Sequence, residues 1–197
     1  ALGAIIPIAL WVAGPDSQLL FADWYFTLTT VGKAAGITGI CFFAGNLILS
    51  GRYQKLDRWF GGLDRVYRFH RKIGVAALGL LSTHVLAITI RLAVISWASF
   101  YRSLTDLSDP ALNYGRIGYA GLLIIVMLTL ALSGKIKYEY LKKLHQFLGA
   151  FLFIGGLHAY FIPSDIAQNQ SLRAYTLGLV GLATASYLWR TVLRRWL

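Results

Sequence analysis

The chain has 197 residues, of which 57% are hydrophobic and only 14% are charged, and its formal net charge is +11. Soluble domains contain about a quarter charged residues, so this composition argues against a soluble domain. The basic residues are clustered between apolar stretches, which is typical of membrane topology, so we expect no nucleic-acid partner. One cysteine, Cys41, is too few for a disulfide framework or a cysteine-based zinc site.

Six apolar stretches occur along the chain, each near the length that crosses a hydrocarbon core of about 30 Å. They predict an all-α integral membrane protein, a bundle of six transmembrane helices in the lipid bilayer. The predicted spans cover residues 1–14, 27–50, 68–92, 114–133, 140–162 and 172–193. Because the first span is short and both ends are abrupt, we expect residues 1–197 to be one domain excised from a longer protein.

The basic residues lie mainly on one side of the predicted bundle. The connections after the second and fourth spans and the tail after the sixth, together with the adjoining span ends, carry fourteen of the nineteen Lys and Arg residues. They are Arg52, Lys55, Arg58, Arg65, Arg68, Arg71, Lys72, Lys135, Lys137, Lys142, Lys143, Arg190, Arg194 and Arg195. The positive-inside rule makes this side cytoplasmic, which predicts cytoplasmic termini in a plasma (inner) membrane protein. The third and fifth spans then both run outward.

The connection between the second and third spans contains an amphipathic pattern. Its apolar residues recur at intervals of three and four, as on one helix face: Leu56, Trp59, Phe60, Leu63, Val66 and Tyr67. With basic residues and Trp at its edges, this segment is predicted to be a helix on the cytoplasmic interface. A polar loop is the alternative, because Gly61 and Gly62 weaken helicity.

All four histidines fall in two of the six spans. His70 and His84 are fourteen residues apart in the third span, and His145 and His158 are thirteen apart in the fifth. These separations correspond to about 21 Å and about 19.5 Å along a helix, so on parallel helices the histidines face each other at two depths. A low-spin haem iron takes one axial imidazole on each side. The pattern therefore predicts two haems, stacked between the third and fifth helices.

The spacing in the fifth span also predicts a local irregularity. Thirteen residues leave two side chains about 140° apart around an ideal helix, whereas fourteen leave them about 40° apart. The segment between His145 and His158 is therefore expected to kink or change its winding. Gly149, Gly155 and Gly156 are the candidate positions.

Other interpretations of the histidines are available. A single histidine in a membrane is as often an interhelical hydrogen-bonding or proton-relay group, and four of them could line a proton channel or transporter. A zinc or non-haem iron site is disfavoured, because no Asp, Glu or Cys lies near the pairs. A channel predicts no haem absorbance.

Two segments resemble the ferric reductase and NADPH oxidase transmembrane domain family, most closely the bacterial NADPH oxidases. They are residues 56–70, continuing to His84, and residues 134–145, continuing to His158. The resemblance covers all six predicted helices in order. It implies that His70 and His145 ligate an inner haem b, and that His84 and His158 ligate an outer haem b.

The resemblance also implies oxidoreductase activity and a set of partners. Electrons would come from NAD(P)H, either NADPH or NADH, through FAD in a cytoplasmic dehydrogenase domain and cross both haems to an acceptor outside. The expected acceptor is molecular oxygen, giving superoxide and further reactive oxygen species, and ferric iron is the alternative. The dehydrogenase is either fused to the natural protein or separate, as for the haem subunit of the bacterial methionine sulfoxide reductase system.

The second predicted span contains a single charged residue, Lys33. It is the candidate catalytic residue, at the outer haem edge or attracting a superoxide-like anion. The alternative is that its long side chain reaches the lipid headgroups. Arg91 and Arg173, near the outer ends of the third and sixth spans, are weaker candidates of the same kind.

Overall fold

The computed structural model describes residues 2–14, 21, 23–51 and 53–191, with residues 2–4 described for the backbone alone. Of the basic residues used for the predicted topology, Arg52, Arg194 and Arg195 lie outside this part. The described residues form ten helices: α1 Leu2–Val12, α2 Trp24–Leu49, α3 Gln54–Phe60, α4 Leu63–Ile95, α5 Trp97–Thr105, α6 Pro110–Leu132, α7 Tyr138–Gln146, α8 Leu148–Phe161, α9 Asp165–Gln168 and α10 Gln170–Thr191. No strand occurs among them.

Four segments of the described chain are helical, long and apolar enough to cross a membrane. They are Trp24–Leu49, Leu63–Ile95, Pro110–Leu132 and Tyr138–Phe161, and they correspond to the second to fifth predicted spans. Helix α1, with 11 residues, is too short, and α10, with 22 residues, is long enough but less apolar. An all-helical membrane architecture is confirmed, whereas the predicted count of six spans is not.

Side-chain caps determine where two of the long helices begin. The Asp23 carboxylate accepts a hydrogen bond from the Phe26 amide at 2.8 Å at the start of α2. Asp109 does the same for the Ala111 amide at 2.8 Å at the start of α6, which has Pro at its first position. Each cap satisfies amides that a helix start otherwise leaves unpaired.

The long helices pack as two antiparallel pairs. Helix α2 packs along α4, helix α6 packs along α8, and α10 joins the two pairs by contacting α2 and α8. The central core is made by fully buried side chains such as Leu152, Leu172 and Thr176. Within the described chain, α4 and α8 do not pack closely along each other, whereas α4 packs along α2 and α8 along α6.

Two polar contacts identify the helix ends that lie on the same side. Near the start of α2, Lys33 forms an ion pair with Asp165 in the α8–α10 connection, with 2.7 Å between Nζ and Oδ1. At the opposite end, the Arg190 guanidinium near the end of α10 donates to the Ser50 carbonyl at the end of α2. Helices α4 and α8 consequently run in the same direction, as the sequence predicted.

The predicted interfacial helix is divided in two. Helix α3 ends at Phe60 and α4 begins at Leu63, with Gly61 at φ 74° and Gly62 at φ 122° between them. Both glycines adopt positive φ, which residues with a Cβ rarely do. The segment is helical as expected, but its second half continues into the membrane span. Trp59 on α3 is 85% exposed, as suits a residue at a membrane interface.

Two short helices were not predicted: α5 and the four-residue α9, which lies in the connection between the fifth and sixth predicted spans. The connection 93–113, interpreted as a loop, contains α5, Trp97–Thr105. The Ser96 hydroxyl begins it by accepting from the Ser99 amide at 3.0 Å. Arg116 of α6 closes this connection, since its Nη2 donates to the Ser103 carbonyl at 2.6 Å and its Nη1 to the Asp106 carbonyl at 2.7 Å.

Candidate functional site

The structure brings His70 and His145 together at one depth of the bundle. Their ring centroids are 6.3 Å apart and their planes make an angle of 63°. The Nδ1 of His70 lies 3.1 Å from the carbonyl oxygen of Asn46 on α2. The Nδ1 of His145 is buried and has no hydrogen-bond partner among the described residues.

His84 on α4 and His158 on α8 lie at the other depth, each bonded to a backbone carbonyl of a neighbouring helix. The Nδ1 of His84 is 2.8 Å from the carbonyl oxygen of Gly32 on α2, and the Nδ1 of His158 is 2.8 Å from that of Ala111 on α6. A carbonyl oxygen can only accept a hydrogen bond, so Nδ1 carries the hydrogen in both rings. The neutral Nε2 then keeps a lone pair for another ligand.

The regularity of α4 sets the two depths. Its histidines are fourteen residues apart in one uninterrupted helix, about 21 Å along the axis. Their partners on α2, Gly32 and Asn46, are also fourteen residues apart and follow in the opposite order. Antiparallel packing of two regular helices therefore gives each histidine of α4 a backbone acceptor at its own depth.

The fifth predicted span is irregular between its histidines, at Phe147. There α7 ends and α8 begins, and two three-residue hydrogen bonds tighten the chain: the Phe147 amide to the Leu144 carbonyl, 3.1 Å, and the Ala150 amide to the Phe147 carbonyl, 3.0 Å. Such bonds belong to 3₁₀ winding, which turns the chain faster than an α-helix. A change of winding was expected, but at one of three glycines.

Two of those glycines serve helix packing instead. The Tyr187 ring of α10 lies against Gly149, and Val180 lies against Gly156, with 2.7 Å between its Cγ1 and the place of an added Cβ. These close approaches pack α10 against α8, and the change of winding occurs at Phe147 instead.

The donor set at each depth fits a haem. An imidazole nitrogen binds a transition metal at about 2 Å, so two rings on opposite sides of one metal have centroids about 6 Å apart. The 6.3 Å between His70 and His145 agrees with this value. The described part of the chain contains no group of three or more His, Cys, Asp or Glu side chains that could hold a metal ion. Two imidazoles suffice for haem iron, because the macrocycle supplies the remaining nitrogens, whereas zinc needs three or four protein ligands.

Lys33 forms an ion pair that was not predicted from the sequence. Its ammonium pairs with Asp165, whose second oxygen accepts a hydrogen bond from the Trp11 indole at 2.5 Å. Lys33 directly follows Gly32, so its backbone lies at the depth of His84. The ion pair therefore belongs to the part of α2 that lies at the depth of the outer histidines. No sequence pattern links Lys33 to a carboxylate 132 residues away.

The two weaker basic candidates both lie against tyrosine rings. The guanidinium carbon of Arg91 is 5.3 Å from the Tyr25 ring centroid, and its Nη1 is 3.3 Å from the Tyr25 hydroxyl. That of Arg173 is 4.7 Å from the Tyr160 ring centroid. These cation–π contacts give both guanidinium groups a partner within the protein, whereas the Nε of Arg91 is buried and has no hydrogen-bond partner among the described residues.

The comparisons agree with the architecture. The family profile of the ferric reductase like transmembrane component matches residues 35–156, more than half of the 197 residues, and the chain belongs to this family. The matched segment includes His70, His84 and His145 and ends two residues before His158. Membership implies an oxidoreductase that transfers electrons across a membrane, without separating bacterial NADPH oxidases from other members. Neither the curated proteins nor the solved structures yield a match.

Proposed function

We propose that this chain carries electrons across a membrane through two b-type haems. His70 and His145 hold the inner haem, and His84 and His158 hold the outer one. The electrons come from NADPH through FAD, in a cytoplasmic dehydrogenase that is fused or separate. The acceptor on the far side is molecular oxygen, which takes up one electron to give superoxide. The side with the basic connections is cytoplasmic by the positive-inside rule.

The observation that carries this proposal is the facing of His70 and His145, with a second histidine on each of the parallel helices α4 and α8 at a further depth. One pair has its ring centroids 6.3 Å apart, and the two depths are about 21 Å apart along α4. Two sites at these depths divide a hydrocarbon barrier of about 30 Å into shorter steps. Each bound haem supplies a reversible one-electron couple, and the protein supplies its position and surroundings.

The histidine hydrogen bonds favour axial ligation over a proton path. A relay histidine has to gain a proton on one ring nitrogen and release one from the other. In His70, His84 and His158 the Nδ1 faces a backbone carbonyl, which holds the hydrogen and passes no proton on. The same bond fixes the tautomer that offers Nε2 to a metal, as in most metal-binding histidines.

Lys33 is the residue we assign to the acceptor side. It lies within the span but near its outer end, where its ammonium pairs with Asp165 and its side chain is 35% exposed. A positive charge there favours an anionic product or a haem carboxylate, because the surrounding medium is apolar. Ferric iron as acceptor remains the alternative, since it would meet the same outer haem edge.

The decisive measurement is a reduced-minus-oxidised absorption spectrum with haem quantified per purified chain. We expect two b-type, bis-imidazole haems. His84→Ala or His158→Ala should remove one haem, the outer one, and leave the inner haem spectrum unchanged. The inner haem should be unaffected because His70 and His84 are fourteen residues apart on α4 and have different backbone partners, Asn46 and Gly32.

Two controls accompany this measurement. Thr83→Ala, beside His84 but exposed and bonded only within its own helix, should retain both haems. Purified wild-type chain with one haem or none, after expression with ample haem, would overturn the proposal. So would full haem content in both outer histidine variants.

A further inference from the structure

Behind each outer histidine the structure repeats one local arrangement. His84 donates to the carbonyl of Gly32, and the residue four positions later on α2 is Gly36. His158 donates to the carbonyl of Ala111, and the residue four positions later on α6 is Gly115. The two arrangements lie on different helix pairs, so they are independent instances of the same geometry.

A glycine at this offset has a physical consequence. In an α-helix the carbonyl of residue i already accepts from the amide of residue i+4, so a second donor has to approach beside that residue. A Cβ at Gly36 would lie 2.6 Å from the Nδ1 of His84, and one at Gly115 would lie 2.8 Å from the Nδ1 of His158. Both distances are too short for any real Cβ, so only glycine leaves the carbonyl accessible to the ring.

The inner pair lacks this arrangement. His70 donates to the Asn46 carbonyl at a longer 3.1 Å, and the residue four positions later is Ser50, which has a Cβ. His145 has no Nδ1 partner among the described residues. The glycine arrangement therefore distinguishes the two depths and belongs to the outer one.

We propose that Gly36 and Gly115 are positioning residues for the outer haem. They keep the Gly32 and Ala111 carbonyls open to the Nδ1–H of the two outer histidines, which aims both Nε2 atoms at the iron. The same bonds strengthen each imidazole as an electron donor to iron. This inference rests on the proposed haem function and adds to it the control of ligand orientation and potential at the outer site.

The test compares Gly36→Ala and Gly115→Ala with Gly45→Ala and Gly79→Ala in the purified full chain. An added Cβ at Gly45 or Gly79 meets nothing within 4 Å, so these controls test the substitution without crowding. For Gly36→Ala and Gly115→Ala we expect outer-haem affinity to fall by about 10- to 100-fold, the usual effect of losing a partner of a metal ligand. Outer haem that stays bound should have a higher midpoint potential, because a weaker imidazole donor stabilises ferric iron less. The inner haem serves as the internal reference for folding.

A further variant separates positioning from general packing. In a His84→Ala background the ring is gone, so adding Gly36→Ala should leave the inner-haem content and the thermal unfolding temperature of that background unchanged. Two wild-type haems with an unaltered outer potential in both glycine variants would overturn the inference while leaving the proposed function intact. Loss of the inner haem together with the outer one in Gly36→Ala would also overturn it, because that result indicates a packing role. Failure of the proposed function would be visible separately, as missing haem in the wild type and in Gly45→Ala.

Discussion

Asp165 shows how one carboxylate can serve two distant helices. One of its oxygens pairs with Lys33 on α2, and the other accepts from the Trp11 indole on α1. Its side chain is 13% exposed and that of Lys33 is 35% exposed. Replacing the carboxylate by an amide removes the negative charge opposite Lys33 and one of the two acceptor oxygens, so one donor loses its partner in a partly desolvated place, which costs more than losing a surface pair.

We therefore expect Asp165→Asn to lower the free energy of unfolding by about 1–3 kcal/mol. Lys33→Met should cost a similar amount, because it leaves the carboxylate without its cation. The two variants should differ in the rate at which oxygen reoxidises the reduced protein. Only Lys33→Met loses the positive charge assigned to the acceptor side, so only it should slow reoxidation.

The measurements are thermal unfolding in detergent and stopped-flow reoxidation of the dithionite-reduced protein. Asp23→Asn, at an exposed helix cap on the same side, controls for the loss of a carboxylate. Equal reoxidation rates in Lys33→Met and wild type would restrict Lys33 to a structural role.

At the scale of elements, the turn between α3 and α4 depends on two glycines in different backbone conformations. Gly61 has φ 74° and ψ 34°, the left-handed region that other residues enter at a modest cost. Gly62 has φ 122° and ψ 156°, a region that is essentially restricted to glycine. No side chain crowds Gly62, since an added Cβ meets nothing within 4 Å.

Gly62→Ala should consequently be the more harmful change, costing about 1–3 kcal/mol through backbone strain alone. Gly61→Ala should cost less, and Gly61→Asn less still, because Asn tolerates the left-handed region. Thermal unfolding ranks the three variants, and Trp59 fluorescence in lipid vesicles reports whether α3 keeps its place at the interface. A Gly61→Ala variant less stable than Gly62→Ala would contradict the conformational argument.

The sequence predicted the long elements well because their signal is composition over many residues. Spans two to five were found within a few residues, and so was the helical character of 56–67. Helix α5 was missed because its nine residues lie in a polar connection and its start depends on one serine hydroxyl. Phe147 was missed because a change of winding there needs no glycine, only two tightened hydrogen bonds.

At the scale of the whole molecule, the proposed function requires the two depths to act in series. The inner pair faces the side assigned to the electron donor, and the outer pair lies one helix span beyond it. His70→Ala or His145→Ala should therefore leave an outer haem that is bound but poorly supplied with electrons. The missing step lengthens the transfer distance by about the 21 Å between the depths.

This expectation can be measured in sealed vesicles with a membrane-impermeant reductant added from one side. In the wild type both haems should be reduced from the cytoplasmic face. In His70→Ala the outer haem should be reduced quickly from the outer face and far more slowly from the cytoplasmic face. Equal rates from both faces in this variant would argue against transfer in series.

Only part of the candidate site could be predicted from the sequence, because several of its contacts join residues that are far apart along the chain. Histidine spacing alone placed the four rings on two helices, because helix geometry converts residue numbers into depths. The backbone carbonyls of Gly32, Asn46 and Ala111 carry no signal in the sequence, since every residue has such a group. The ion pair of Lys33 likewise depends on how the α8–α10 connection returns to α2.

The loose contact between α4 and α8 has a consequence for how much of the protein a cell can accumulate. If haem supplies part of the packing between these two helices, a chain made without haem is less stable and more easily degraded. Haem binding would add RT ln(1 + [L]/Kd) to the free energy of unfolding. This amounts to about 2.7 kcal/mol when the free haem concentration is a hundredfold above the dissociation constant. Iron starvation would then lower the amount of the protein through degradation, with no change in the transcription of its gene.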